Sequence, residues 1–436
     1  MSGEAEGAGR RRARRILPCR WTVAAVAVLL AAPAGGTSFS SFGFIALRGA
    51  AVESQRSWLA AGFGRELVGG RGPGDRATAA LGQARLGVDW SLSPSFSARF
   101  LGVLRRDPPG GRGTAAGALE AFAQGLFALG DRGELRLRAG TFFLPTSREN
   151  VDPGWSSPYT ISTSALNTWI GEEVRPTGVD LAVRRDLGTG GAWSLAGTGF
   201  GGNDSAGALL AWRGFAIGDR PTAIGEALPL PPLDSLTRQG PFGRQIRDGL
   251  MAETKPIGAD LDGRLGWATR ARVERSGRGL LQAALYDNRG DRRLHRGEYA
   301  WATRFLELGG ELELGRGWRL LGEYARGRTS MGQRSAPHVD ADLRTGYLMV
   351  SRGGERSRLS LRYERFALDD RDHSAAEDNR ERGWAVTAAW LWTVREPWRL
   401  GVEARRLRAG RPAAVESGFP GDTDSWSLSL EARWQF

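Results

Sequence analysis

Apolar and polar residues alternate one by one through much of this chain. From Trp426 to Phe436, one face would carry Trp426, Leu428, Leu430, Ala432, Trp434 and Phe436, and the other Ser427, Ser429, Glu431, Arg433 and Gln435. Successive side chains of a strand point to opposite faces, so a period of two predicts strands with one side in an apolar medium and the other in water. The same alternation recurs in Glu134 to Ala139, Asp262 to Glu274 and Arg358 to Glu364. Windows with the i, i+3, i+4, i+7 apolar spacing of a core helix are few.

Two kinds of connection separate the alternating segments. Short turns are expected at 91–95, 130–133, 188–191, 276–279, 315–317, 352–355 and 393–397. Loops rich in Gly, Asp, Arg and Pro are expected at 68–78, 107–114, 145–176, 229–256, 288–298, 327–342, 369–382 and 409–424. Exchange of short turns for long loops is the pattern of a transmembrane β-barrel, with the turns periplasmic and the loops extracellular. The strands predicted between them lie within 41–65 and near 79–90, 96–105, 116–128, 134–143, 177–186, 192–200, 207–217, 221–227, 257–275, 280–286, 299–314, 318–327, 343–351, 357–367, 383–392, 398–408 and 426–436. The 221–227 segment is weak, but without it the direction of travel fails between 207–217 and 257–275. The expected fold is therefore an all-β, antiparallel transmembrane barrel of 16–18 strands, with 18 the best count, an even number as bacterial barrels require.

Tryptophan placement agrees with that geometry. Trp90, Trp318, Trp392, Trp398 and Trp434 all fall beside proposed turns or the terminus, which would set them at one height, the periplasmic interface, where an indole is most stable. Residues 1–34 read as an export signal peptide, leaving 35–436 as one barrel domain. Arg10, Arg11, Arg12, Arg14, Arg15 and Arg20 form its basic region, Thr22 to Ala32 its apolar run, and Ala32-Pro33-Ala34 its cleavage site. Cys19 precedes the apolar run, whereas a lipid-bearing cysteine would follow it. A barrel must also reach its membrane unfolded, which favours the general secretory route over twin-arginine export.

Composition removes several function classes. The net charge of +12 falls to +8 without the leader, and Lys255 is the single lysine, so the excess is guanidinium. Acids and bases interleave without a concentrated patch, which argues against a nucleic-acid partner. The region after the leader has no cysteine, hence no disulfide or thiolate metal site. It also has no run of about 18 apolar residues, and mean hydropathy is −0.34, which together exclude a helical membrane protein.

Several strands oppose arginine to apolar residues. Arg136 and Arg138 alternate with Leu135, Leu137 and Ala139; Arg358 and Arg362 with Leu359, Leu361 and Tyr363; and Arg264, Arg270 and Arg272 with Leu265, Trp267 and Val273. Facing lipid, each charge would cost roughly 2–4 kcal/mol near the midplane, so these arginines are expected to line the lumen. There they would either favour passing anions or pair with Glu and Asp and keep the lumen wet. The loop 145–176 is too long for an ordinary connection. Its Trp155, Tyr159, Ile161, Leu166, Trp169 and Ile170 need packing, and a short helix could start at Ser164. His295, His338 and His373 fall in loops without nucleophile or metal spacing, and the acidic stretch Asp369 to Asp378 lacks the glycine-centred spacing of a calcium loop. No catalytic residue, metal or cofactor is expected.

A strand that ends flush with the chain on an aromatic residue resembles the C-terminal signal of Gram-negative outer-membrane barrels. The resemblance implies that Trp434 and Phe436 are read by the barrel-assembly machinery. Phe142-Phe-Leu-Pro-Thr-Ser-Arg-Glu149, Asn167-Thr-Trp-Ile-Gly-Glu-Glu173 and Gly201-Gly-Asn-Asp-Ser-Ala-Gly-Ala-Leu-Leu-Ala-Trp-Arg213 resemble segments of porin-like proteins of Gram-negative bacteria, loosely akin to phosphate-selective porins. The likeness is concentrated in residues 140–260 and the termini. It implies a pore in outer-membrane lipid for passive diffusion of small hydrophilic solutes or anions, as a monomer or a homotrimer. It also implies that loop 145–176 folds into the barrel as a constriction, with Trp155, Asn167 and Trp169 packed there and Glu172 and Glu173 opposing the wall arginines; a folded extracellular cap is the alternative. The likeness transfers no substrate, because the lysine-rich site of phosphate-selective porins is missing. The rival readings are a barrel enzyme of lipase or protease type and a non-channel surface or secretion barrel.

Overall fold

The computed structural model describes residues 37–72, 74–233, 246–247, 251–258, 260–333, 338–372 and 378–436. The expected signal peptide and His373 lie outside the described residues. Sixteen strands close into one antiparallel barrel. They are β1 Ser38–Glu53, β2 Arg76–Ser91, β3 Phe96–Arg106, β4 Ala116–Ala128, β5 Gly133–Thr141, β6 Thr177–Gly188, β7 Gly191–Gly201, β8 Gly266–Arg275, β9 Gly279–Asp287, β10 Ala302–Gly315, β11 Trp318–Met331, β12 Val339–Gly353, β13 Ser357–Asp370, β14 Glu381–Arg395, β15 Trp398–Gly410 and β16 Asp422–Gln435. Each pairs with its neighbours in sequence, and β16 returns to β1, so the sheet has no open edge. Phe436 completes the closure: its carbonyl accepts from Gly43 N at 2.9 Å and its amide donates to Gly43 O at 3.1 Å.

Alternation decides the faces. On β13, Leu359, Leu361 and Tyr363 are exposed to the outside while Ser360, Arg362, Glu364 and Phe366 are buried inside. Every short connection lies at one end of the barrel and every long loop at the other. Trp90, Trp318, Trp392 and Trp398 stand exposed on the outer face at the short-turn end. Trp434 is in register with Trp398 and its ring lies 4.8 Å from that of Phe436. The aromatic row expected from sequence is therefore real, and lies where an indole can meet both lipid and water.

Sixteen strands are the lower end of the expected range, and the best count of 18 is corrected by two. The strands expected at 207–217 and 221–227 are not in the wall. Ala208–Arg213 is a helical turn with every residue buried, and residues 221–226 lie inside against the wall, Ile224 N donating to Ala118 O of β4 and Glu226 pairing with Arg105 of β3. A wall strand needs a polar face and a lipid face. Ala208-Leu-Leu-Ala-Trp212 is apolar without alternation, so it packs on all sides instead. Because both surplus strands disappear together, the direction of travel from β7 to β8 is kept.

A barrel of this girth is too wide for its own wall side chains to fill. Segments 142–176 and 202–233 occupy the space. Leu166, Trp169, Leu210 and Phe215 from these segments share one apolar cluster with the inward Ala325, Leu343, Phe366, Ala385 and Leu407 of the wall. A second cluster around Trp58, Trp212 and Trp301 packs at the long-loop end, against Met331 and Val339. Gly207 marks a close approach of the inward segment to the wall: a Cβ there would sit 2.0 Å from Thr329 Oγ1 and 2.5 Å from Thr303 Oγ1, and its φ is +100°.

Candidate pore lumen

The chain enters the barrel after β5. Phe143 stacks on Trp155 at 4.9 Å, and the Trp155 indole donates to Asn167 O at 2.9 Å, which turns the segment back on itself. Ser164 then caps a helix, α1 (Ala165–Glu173), its hydroxyl accepting from Asn167 N at 3.2 Å. All nine residues of α1 are buried. Loop backbone amides taken from water need acceptors, and acidic side chains on the wall supply them. Glu403 of β15 accepts from Ile161 N and Ser162 N at 2.7 and 3.0 Å, Glu364 of β13 from Ala165 N at 2.6 Å, and Glu323 of β11 from Arg148 N. Arg362 answers from the wall, holding Glu149 at 2.9 Å and Ser162 O at 2.9 Å.

The second inward segment hangs on the first. Its short helix, α2 (Ala208–Arg213), begins at Gly207 and so has no capping side chain of its own. Glu173 takes that place, accepting from Gly207 N, Leu209 N and Leu210 N at 3.1, 2.8 and 3.2 Å and from the Trp169 indole at 2.9 Å. Glu172 pairs with Arg213 at the other end of α2, at 2.6 Å. Burial pushes the Glu173 carboxyl up to about 7 against the opposing pull of those amides, and burial raises Glu172 as well. Further along, Asp219 receives both Arg48 of β1, at 2.6 Å, and Gln83 of β2, at 2.6 Å. Burial would raise that carboxyl, but Arg48 and the neighbouring arginines hold it well below the usual range.

Space remains at the short-turn end, under Pro145 and Thr146. A cavity of about 180 Å³ there is lined by Arg136, Arg184, Arg270 and Arg272 with Glu134 and Glu274. Asp180 gathers two of these guanidinium groups, Arg270 at 2.5 Å and Arg136 at 3.8 Å. Arg138 stands next to them in the strand, its guanidinium 4.6 Å from the Phe122 ring and 5.1 Å from that of Phe142. Arg184 is tied to Asp186 at 2.5 Å and Glu274 at 2.9 Å, and Arg272 to Glu274 at 3.0 Å. Stacking and shared carboxylates fix the guanidinium planes of this group.

No protein-family model matches the chain, and no curated protein sequence matches it. Solved structures do. OmpF of Salmonella typhi, in a complex with daunomycin, superposes with a TM-score of 0.52 at 11% identity, covering 92% of this chain and 98% of that one. The outer membrane channel DcaP of Acinetobacter baumannii gives 0.50 at 10% identity, with 93% and 99% covered. The fold is that of a porin.

Within the porin fold the expected residues divide. Arg136, Arg138, Arg270 and Arg272 come together at the short-turn end of the lumen. Arg358 and Arg362 also face inward but are spent on the loop: Arg358 lies 5.0 Å from the Tyr159 ring, and Arg362 is wholly buried against Glu149 and Glu364. Arg264 precedes β8 in an exposed turn and donates to Arg289 O at 3.1 Å. Trp155, Asn167 and Trp169 fasten the inward loop to itself and to the wall, with the Asn167 amide donating to Glu149 at 2.9 Å and to Glu323. Glu172 and Glu173 are bound to α2, so the expected opposition to the wall arginines is replaced by contacts between two loops. Arg184, Arg405 and Arg433 carry the same alternating signal as the expected arginines. The pairing of Arg48 with Asp219, 171 residues apart, carries no local signal at all. Near the mouth, Asp204, Asp260 and Asp262 bring carboxylates within 4.8 Å of one another, and Asp204 accepts from Leu261 N and Asp262 N. His295 bonds to Asp291 at 3.0 Å in an outer hairpin.

Proposed function

We propose that this protein is an outer-membrane diffusion channel that favours small anions, and that solutes leave its constricted lumen through the vestibule under Pro145 and Thr146. The observation that carries the reading is the cluster of Arg136, Arg138, Arg184, Arg270 and Arg272, five guanidinium groups against the four carboxylates of Glu134, Asp180, Asp186 and Glu274 around them. In a water-poor constriction, aligned guanidinium groups lower the barrier for phosphate- or carboxylate-bearing solutes by charge and by bidentate hydrogen bonds. That a channel such as DcaP is built on the same fold is in keeping with transport. On β2 and β3 the outward small residues Ala80, Gly82, Ala84, Ala98 and Gly102 stand beside the exposed Phe100 and Leu104, an apolar face on which a homotrimer would close.

Purified protein in a planar bilayer under a salt gradient should show discrete conductance steps and a reversal potential of anionic sign. The double variant Arg136→Ala, Arg138→Ala should keep the steps and lose most of the selectivity. Cation preference in the intact protein would transfer control to the loop carboxylates, and hydrolysis of lipid or peptide without conductance would favour the enzyme reading.

A further inference from the structure

The outer face of the barrel carries a second population of arginines, on the side that meets lipid. On β10 to β15 the outward positions run apolar from the tryptophan row toward the long loops, then turn basic. On β13, Leu359, Leu361 and Tyr363 lead to Arg365, and on β15, Leu400, Val402 and Ala404 lead to Arg406 and Arg408. Arg304 and Arg328 of β10 and β11 stand directly opposite each other, as do Arg326 and Arg344 of β11 and β12. Like charges facing across a strand pair are unfavourable unless something negative lies between them. Aspartates relieve part of the strain: Arg328 is bonded to Asp340, Arg344 and Arg382 to Asp369, and Arg408 to Asp424. Arg304, Arg326 and Arg365 have no ion pair among the described residues. The concentration is local, since at the same end of β2 to β7 the outward positions are mostly small or apolar, such as Ala80, Leu104, Ala118, Ala139, Val179 and Gly197.

Between these arginines the outer wall is grooved. The outward Gly346 and Ala367 on adjacent strands leave an open depression of about 1000 Å³. Arg344, Arg365, Arg382 and Arg408 line it, with Asp422 and Asp424 at the Arg408 edge, together with the apolar surfaces of Tyr324, Leu348, Tyr363 and Trp384. On each strand the basic residues lie toward the long loops and the apolar ones below. A free anion would use only the upper half. A molecule with several negative charges at one end and acyl chains at the other would use both.

We propose that this groove binds the phosphorylated headgroup of an outer-leaflet lipid, with the phosphates between Arg344, Arg365 and Arg382, Arg326 reaching them from its place opposite Arg344 at the groove's edge, and the acyl chains along Leu348 and Tyr363. Arginine suits the task because its planar fork holds a phosphate bidentately, and a position at the membrane interface keeps the guanidinium groups out of the hydrocarbon. The site is independent of the lumen, so it stands or falls separately from the transport reading.

The test uses the full protein in detergent, incubated with lipid A, with fully dephosphorylated lipid A, or with inorganic phosphate, and examined by native mass spectrometry. Retention of lipid A should exceed that of the dephosphorylated lipid at least tenfold, and excess inorganic phosphate should not displace it. The variant Arg326→Gln, Arg365→Gln should lose at least tenfold in lipid A retention while keeping its heat-modifiable gel migration and its conductance, and Arg76→Gln, outside the belt, should retain lipid A normally. Equal retention of both lipids would overturn the proposal, as would unchanged retention by the double variant. Displacement by inorganic phosphate would reduce the groove to a free-anion site, and self-association abolished by the double variant without lipid loss would assign the face to a second copy of the chain; either result refutes the lipid assignment.

Discussion

Arg362 shows what a charge inside this barrel is for. It is completely buried, lies 2.9 Å from Glu149 and 3.1 Å from Glu364, and so couples the inward loop to β13. Removing one partner of a buried pair leaves the other charge unsolvated, at a cost of about 3–5 kcal/mol. Arg362→Met should therefore destabilise loop docking by about that amount, seen as faster proteolysis within 145–176 and as a larger, noisier single-channel conductance. A quiet channel of native conductance in this variant would contradict the anchoring role. Glu173 makes a pH-dependent counterpart. Its folded-state pKa, about 7, lies above the ordinary value, so its contribution to docking α2 is complete at acid pH and is lost as pH rises from about 4.5 through about 7. Hydrogen exchange at Leu209 and Leu210, corrected for intrinsic rate, should become faster across that window, and Glu173→Gln should flatten the dependence. An unchanged dependence in Glu173→Gln would assign the effect elsewhere.

At the scale of elements, alternation specifies the wall. Strands such as β13 and β16 were legible because each residue's polarity tells which medium it meets, and the tryptophans beside the turns gave the height. Segment 207–217 was not legible as an interior element. Inside a barrel filled by loops, neither period two nor a long amphipathic stripe is required, and the run Ala208-Leu-Leu-Ala-Trp212 signals only that all sides are covered. The arginines were half legible: alternation turned Arg136, Arg138, Arg270, Arg272, Arg358 and Arg362 inward, but which remain available to solute depends on partners far away in sequence, such as Glu149 for Arg362. The last strand makes its own prediction. Deleting Phe436 removes its backbone pair with Gly43 and its ring contact with Trp434, where β16 closes on β1. The deletion should reach the periplasm normally yet lower the heat-modifiable, folded fraction in the outer membrane severalfold. Normal outer-membrane yield would refute a role for the aromatic end.

For the molecule as a whole, the same residue types do different work on the two sides of one wall. Inside, guanidinium groups either hold the two inward loops or line the space those loops leave; outside, they end the apolar band toward the long loops. Girth explains the division, since a ring of 16 strands is too wide for its wall side chains to fill, and where loops enter it their buried backbone must be met by wall carboxylates. Arg136, Arg184, Arg270 and Arg272, not spent in that way, line the cavity of about 180 Å³ beneath Pro145 and Thr146. The most direct test of this account uses the absence of cysteine after Cys19. Arg136→Cys, exposed to a negatively charged thiol reagent while current is recorded in a bilayer, should lose most of its anion conductance as the label attaches, whereas the protein without the introduced cysteine should be unaffected. Full labelling of that cysteine with no change in current would place the conduction path elsewhere and contradict the account.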